Sequence, residues 1–145
     1  MYKIIEETAA EMGLPFEIGT YAKLNIILDK ARREQRLPAC VQVESTQGTL
    51  TFGTGAYDQD AIKSESVNVG FVESMTINEP PRNAVDKADK LVGYGMQLIK
   101  RLKNKGWQVG NASWTTMYDR FDATLIFVVF SFTLTPENAI CFDNI

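Results

Sequence analysis

Three pairs of closely spaced carboxylates are the side chains in this sequence best suited to acid–base chemistry. The pairs are Glu6 with Glu7, Asp58 with Asp60, and Asp119 with Asp122. The chain contains no histidine, so a catalytic mechanism would have to use such carboxylates or a lysine. The first pair is adjacent on a predicted helix and points in two directions, and the second pair lies in a predicted solvated loop. The third pair flanks Arg120, which is typical of a surface ion-pair cluster, and we therefore predict that the protein is not an enzyme.

The spacing of potential ligands does not indicate a metal or phosphate site. Asp58 and Asp60 match the start of a calcium loop, but the glycine and the closing glutamate of that pattern are missing. The glycines between positions 48 and 55 lack the Gly-Lys-Ser/Thr ending of a phosphate loop. Cys40 and Cys141 have no metal-ligand spacing, and we predict that both are free thiols in apolar surroundings. The sequence thus predicts no metal and no cofactor.

Size and charge limit the partners that the chain can recognise. A chain of 145 residues is long enough for one domain with its own core, which we assign to residues 1–145. Fifteen basic and eighteen acidic residues give a net charge of −3, which argues against specific recognition of nucleic acid. The basic run Lys100–Lys105 lies at the end of a predicted helix, where it favours the negative end of the helix dipole. No apolar run approaches the ~20 residues of a membrane helix and no signal peptide is evident, so we expect cytosolic synthesis and no membrane partner.

The strands that would position these side chains are clearest in the apolar run 124–134. This run consists almost entirely of β-branched, aromatic and leucine residues and is followed by Pro136, a pattern typical of a central β-strand. Its even positions from Ile126 onward are all apolar, whereas its odd positions turn polar after Val129. We therefore predict that one end of the strand is covered on both faces and the other end on one face. Ala39–Glu44 and Val67–Phe71 alternate with period two and predict two further strands.

Three segments have the three- and four-residue apolar spacing of amphipathic helices, namely Tyr2–Met12, Thr20–Gln35 and Asn83–Lys105. The longest of them has an apolar stripe made of Val85, Ala88, Leu91, Val92, Gly95, Met96, Ile99 and Leu102. Two shorter strands are predicted at Gly48–Gly53 and at Trp107–Val109, so in chain order the elements are α, α, β, β, β, α, β, β. This order predicts an α+β fold, with a mostly antiparallel sheet packed by the long helix and with additional N-terminal helices.

Residues 46–62 differ from the rest of the chain because they are rich in glycine and threonine and poor in large apolar side chains. We predict a flexible β loop there, which is costly to order in a monomer and can become ordered against a neighbouring subunit. Aromatic residues near the predicted sheet edges are further anchors for such a contact. The candidate subunit interface consists of Gly48, Thr49, Leu50, Phe52, Tyr57, Trp114, Tyr118 and Arg120.

The order of these elements resembles the tail-terminator, or tail-completion, proteins of long-tailed bacteriophages. The matching segments are a Pro-introduced strand at Leu37–Ser45, an alternating strand at Lys63–Glu73, the long helix at Asn83–Lys105, and Trp114–Leu134 leading into the last strand. The resemblance implies a hexameric ring that sits on the last ring of the tail tube, stops its polymerisation and contacts the head connector. It also implies a location in the virion tail, after assembly in the host cytoplasm.

Two other classes of function stay open at this point. The first is a small ligand- or peptide-binding α+β module that uses a cleft between the long helix and the sheet. The second is an enzyme that uses Asp119 and Asp122 with nearby basic residues. We expect a structural role, because the negative findings on chemistry leave surface complementarity as the simplest mechanism.

Overall fold

The computed structural model describes residues 2–53, 60–76, 78–118, 125–137 and 140–141, with residues 21–22, 44–46 and 140–141 described by their backbone alone. The elements are α1 (Tyr2–Glu11), β1 (Phe16–Gly19), α2 (Tyr21–Arg33), β2 (Ala39–Phe52), β3 (Asp60–Ser74), α3 (Pro81–Asn104), β4 (Gln108–Tyr118), β5 (Leu125–Thr135) and β6 (Ile140–Cys141).

The strands form one six-stranded sheet in the order β1-β2-β3-β5-β4, and β6 pairs with the start of β3. Strands β1 and β2 are parallel, whereas the other pairs are antiparallel. The predicted α+β class, with a mostly antiparallel sheet and additional N-terminal helices, is therefore confirmed. The long β2–β3 and β3–β5 pairings make β3 the centre of the sheet.

Helices α1 and α3 cover one face of the sheet, which we call face A. The even-numbered side chains of β5 point into this layer, where Phe130 and its neighbours meet Leu91, Leu98 and Leu102 of α3. A Cβ atom added at Gly95 would overlap the ring of Phe130, so the helix lies directly on the strand. Burial of large apolar side chains, at ~1.5–3 kcal/mol each, supplies most of the energy that docks α3.

Helix α2 covers part of the opposite face, which we call face B. Leu24 and Leu28 are fully buried against the odd-numbered residues Phe127 and Val129 of β5 and against β2. Further along β5, Ser131 and Thr133 are only partly buried on face B. The prediction that one end of this strand is covered on both faces and the other end on one face is confirmed.

The helix ends show where local sequence rules succeed and fail. Gly13 and Gly106 have positive φ angles of 75° and 93° and follow the ends of α1 and α3, a position that favours glycine. The predicted start of the long helix at Asn83 is two residues late, because α3 begins at Pro81, and its first turn has no side-chain cap hydrogen bond. Proline suits this first helical position since it has no N–H group to satisfy.

Two details of the predicted core are wrong. Val85 and Met96 of α3 are 51% and 62% exposed, whereas Ala84 and Leu98 are buried in their place. The residues of α3 that contact the sheet recur at alternating four- and three-residue steps from Ala84. Val85 and Met96 each follow one of these residues by one position, so their side chains are turned about 100° around the helix from the line of contact. Gln42, which alternation places outward, is only 4% exposed because both faces of β2 are covered at that position.

Candidate assembly surface

The predicted β loop at 46–62 corresponds in the structure largely to paired strands. Residues Gln47–Phe52 of β2 pair with Ala61–Ser66 of β3, after an irregularity in register that follows Val43. We call these two segments the ribbon. The β-branched residues Thr49 and Thr51, at alternate positions of Gln47–Phe52, suit an extended strand, which explains the pairing although no side chain of the segment is buried. The connecting residues 54–59, which include Tyr57, lie outside the described part of the chain.

The ribbon extends beyond most of its neighbours in the sheet. Strand β1 pairs with β2 only as far as Val43, and β5 pairs with β3 only from Glu65 onward. Strand β6 adds two further pairs, at Asp60 and Ala61. Within the described residues, the outer edge of Gln47–Phe52 therefore has no neighbouring strand.

Large apolar side chains on the ribbon are exposed. Leu50 is 50% exposed and Phe52 is 53% exposed, and the alternation of the strand places both on face A. Ile62, on face B, is 38% exposed and was not among the predicted interface residues. Exposure of three large apolar side chains on so short a segment is unusual for a surface that meets only water.

Strand β4 forms the other margin of the sheet. Its inner edge pairs with β5, and in the described residues its outer edge has no strand neighbour. Trp114 is directly opposite Phe130, and the two rings stack at 5.9 Å between centroids, yet Trp114 remains 56% exposed. Tyr118 is 43% exposed. Both aromatic side chains are on face A, as Leu50 and Phe52 are, because each pairs with an even-numbered residue of β5.

The structure divides the predicted interface residues into two groups at opposite margins of the sheet. Gly48, Thr49, Leu50 and Phe52 lie on the ribbon, whereas Trp114 and Tyr118 lie on β4, with β3 and β5 between the groups. Tyr57 and Arg120 lie outside the described residues. One chain therefore does not bring the two groups together, and a contact between them requires a second chain.

Charged side chains elsewhere connect the helices rather than form a site. Lys105 and Arg101 of the basic run contact the carboxylate of Glu11, at 2.6 and 3.5 Å, and so join α3 to α1. The hydrogen bond from Lys105 is the main cause of a lowered pKa of Glu11. Lys87 contacts Glu79 at 2.9 Å, and this hydrogen bond, with others from Thr76, lowers the pKa of Glu79 to about 2.

The candidate catalytic and metal-binding groups are not brought together in the part of the chain that the structure describes. Glu6 and Glu7 are exposed on α1, whereas Asp58, Asp119 and Asp122 lie outside the described residues. Among the described residues, no three potential metal-ligating side chains form a cluster.

The predicted free thiol is confirmed for Cys40, which is buried and unpaired. Burial raises the pKa of this thiol, because the charged thiolate would lose its hydration in the core. A group held in its neutral form in this way is a poor nucleophile and a poor metal ligand. The side chain of Cys141 lies outside the described residues.

Two surface cavities lie away from the sheet edges. One of about 340 Å³ is lined by Lys30, Arg33 and Glu34, and one of about 420 Å³ is lined by Pro81, Arg82, Val85 and Asp86. The described lining residues of each belong to one helix or to its C-cap, and none lies on the sheet, so neither cavity matches the predicted cleft between the long helix and the sheet.

Comparison with models of known protein families and with characterised protein sequences gives no match to this chain. None of the helices in the described residues combines the length and the apolar character needed to cross a membrane. The structural features that indicate a function are therefore the ribbon and β4.

Proposed function

We propose that this protein is a structural virion assembly protein that forms a closed ring of identical subunits. Its role would be that of a tail terminator or head–tail joining protein, which caps the tail tube and offers its other surface to the head connector. The partners are then further copies of the chain, the tail-tube protein and the connector, in the virion tail after assembly in the host cytoplasm. The mechanism is surface complementarity and involves no catalytic step.

The observation that carries this proposal is the ribbon, with Leu50 and Phe52 about half exposed at a margin of the sheet. A two-stranded ribbon is marginally stable in water unless it packs on another surface. Exposed apolar side chains on such an element are typical of a segment that contacts a partner protein. The order of elements, which resembles that of tail-terminator proteins, supports the phage role.

The position of the second exposed group supports a ring rather than a simple dimer. Trp114 and Tyr118 lie at the opposite margin of the sheet from Leu50 and Phe52. When two different surfaces of one chain meet, each subunit uses one surface toward each neighbour, and the contact repeats into a ring where the rotation between subunits closes and into a filament where it does not.

The magnitude of the apolar term is consistent with assembly but does not guarantee it. If the contact buries these four half-exposed side chains, about 400 Å² of mostly apolar surface leaves water, since an aromatic side chain has ~150–250 Å² in total. At ~25 cal/mol per Å², this burial contributes about 10 kcal/mol per contact. Association costs ~4–15 kcal/mol in lost freedom, so additional hydrogen bonds across the contact decide its strength.

The alternative of a small ligand- or peptide-binding module has no specific observation in its favour. It needs an opening between α3 and the sheet, but in the described residues Phe130 fills the space beneath Gly95. Phe71 packs edge-on against Phe130 at 6.0 Å and closes the same layer from the side of β3.

Light scattering coupled to size-exclusion chromatography tests self-assembly. We expect the full chain to elute as one defined oligomer and the Leu50→Ser variant to shift toward monomer. Ile26→Ser is the matched control, because Ile26 is an aliphatic residue that is 71% exposed and lies on α2, outside the ribbon and β4. Equal behaviour of the two variants would show that Leu50 is not at an interface.

The role in the tail needs a separate assay with tail-tube protein that polymerises in vitro. Addition of the wild-type chain should shorten the tubes seen by electron microscopy, with one ring at a tube end. The Leu50→Ser variant should have a much weaker effect. Tubes of unchanged length in the presence of an assembled ring would contradict the capping role and leave self-assembly intact.

A further inference from the structure

We infer that the ring is held together by a continuous β-sheet, in which the outer edge of Gln47–Phe52 pairs with the outer edge of Ser113–Tyr118 of the next copy. This inference rests on the proposed function, because it names the contact that joins the subunits. Its partner is a second copy of the same chain. The contact consists of main-chain hydrogen bonds together with side-chain contacts on both faces of the joined sheets.

In the described residues, the regular parts of these two edges lack charged residues and prolines. Folded proteins normally protect exposed sheet edges with charged residues, prolines, short strands or bulges, because an open edge pairs with any other open edge. Gln47–Phe52 and Gln108–Tyr118 contain no charged residue and no proline. The edge strand β1 differs, since it has only four residues and carries Glu17, which forms an ion pair with Arg36 at 3.5 Å.

The two edges also offer regular segments with the same number of residues for pairing. A change of register between Gly110 and Ser113 interrupts β4, and Asn111 has a positive φ of 54°. The regular part of the edge is therefore Ser113–Tyr118, which has as many residues as Gln47–Phe52, the regular part of β2 beyond its own register shift. Such an irregularity restricts pairing to the segment beyond it, which limits the possible registers.

The side chains on each face of the two edges match as well. On face A the ribbon has Leu50 and Phe52, and β4 has Trp114 and Tyr118, so that joined sheets place apolar side chains beside apolar ones. On face B the ribbon has Thr51 and β4 has Thr115, whose small polar side chains are both exposed. Aromatic and aliphatic cross-strand pairs each contribute ~0.2–1 kcal/mol beyond the pairing of alanines.

Cysteine cross-linking tests the pairing directly. The parent is Cys141→Ser, which keeps Cys40 because that thiol is buried. A variant with Thr51→Cys and Thr115→Cys is treated with a flexible bismaleimide that tolerates a shift of two residues in register. We expect a ladder of covalent species that ends at the mass of the closed ring, measured by denaturing electrophoresis and mass spectrometry.

The single-site variants distinguish the two ways in which the edges could pair. Thr51→Cys alone and Thr115→Cys alone should each give little cross-linking, whereas a mixture of the two proteins should give a dimer that contains one of each. Efficient dimers of Thr115→Cys alone would show that two β4 edges pair symmetrically, and would overturn the inference. A control with Lys23→Cys and Lys103→Cys, two exposed helical positions, should give no ladder.

The outcome also separates this inference from the proposed function. If light scattering shows the oligomer but positions 51 and 115 do not cross-link, the edge pairing is wrong while self-assembly stands. If the chain is monomeric under all conditions, both fail. Thr115→Lys provides an independent readout, since a charge on the edge should reduce the oligomer at least tenfold, and Thr51→Glu in the same chain should restore part of it.

Discussion

Two glycines separated by one residue in α3 should respond oppositely to the same substitution. Both Gly93 and Gly95 lie inside the helix, where replacement by alanine normally stabilises by ~0.5–1 kcal/mol because the unfolded chain loses freedom. A Cβ at Gly93 meets no atom within 4 Å, so Gly93→Ala should show this gain in full. A Cβ at Gly95 would overlap the ring of Phe130, so Gly95→Ala forces the helix away from the sheet or the ring out of its position.

The ring of Phe130 has little freedom to move. It packs edge-on against Phe71 at 6.0 Å and stacks with Trp114 at 5.9 Å. Overpacking of a well-filled core typically costs ~1–3 kcal/mol. The gain in helix propensity is common to both variants and cancels in their comparison, so Gly95→Ala should be less stable than Gly93→Ala by about 1–3 kcal/mol.

Urea unfolding followed by circular dichroism measures this difference. The Leu50→Ser background keeps the measurement on the single chain, because dissociation of an oligomer would otherwise contribute to the transition. Thermal unfolding should show the same order, with midpoints separated by roughly 3–10 °C for a domain of this size. If Gly95→Ala is as stable as Gly93→Ala, the packing of α3 on β5 described above is incorrect.

Two further substitutions and one thiol-reactivity measurement test the interior and the electrostatics. Gln42→Met should raise the unfolding free energy by ~1 kcal/mol, because the buried side-chain oxygen of Gln42 has no hydrogen-bond partner among the described residues; urea unfolding measures it. Cys40 should react with a thiol reagent only at the rate of unfolding, since its thiol is buried and its pKa is raised; equal rates in native and denatured protein would contradict this. The pKa of Glu79 is lowered from 4.5 to about 2 by Lys87 and Thr76, so its contribution is complete above pH 4.5 and is lost as the pH falls toward 2. Unfolding curves at pH 5 and pH 3 should therefore differ less in Glu79→Gln than in wild type.

The elements that could be predicted from the sequence are those whose local pattern has one physical explanation. The segment that forms β5 has apolar side chains on both faces for half its length. Such a segment fits only a central strand that is covered on both faces of the sheet. The long helix was predicted with errors at Val85 and Met96, because a wide apolar stripe does not determine the line of contact. That line depends on the angle at which the helix crosses the sheet, which local sequence does not contain.

The ribbon and the edges depend on information that no local pattern provides. Gln47–Phe52 has the composition of a loop, and its strand conformation depends on a partner in β3. The sequence shows that Gln108–Tyr118 contains no charged residue. This indicates a site for strand pairing only because β4 is an edge strand, which the sequence does not show. The strand order shows that Leu50 and Phe52 lie at one margin of the sheet and Trp114 and Tyr118 at the other. An interface between these two groups therefore cannot be predicted from the sequence alone.

Native mass spectrometry of the full chain tests most directly whether the protein acts by binding copies of itself. The account predicts one dominant closed oligomer whose mass is an integer multiple of the 16.2 kDa chain, with six copies expected from the resemblance to tail terminators. It also predicts that the oligomer is absent from Leu50→Ser and retained in Ile26→Ser. A wild-type spectrum that contains only monomer at every protein concentration measured would contradict it.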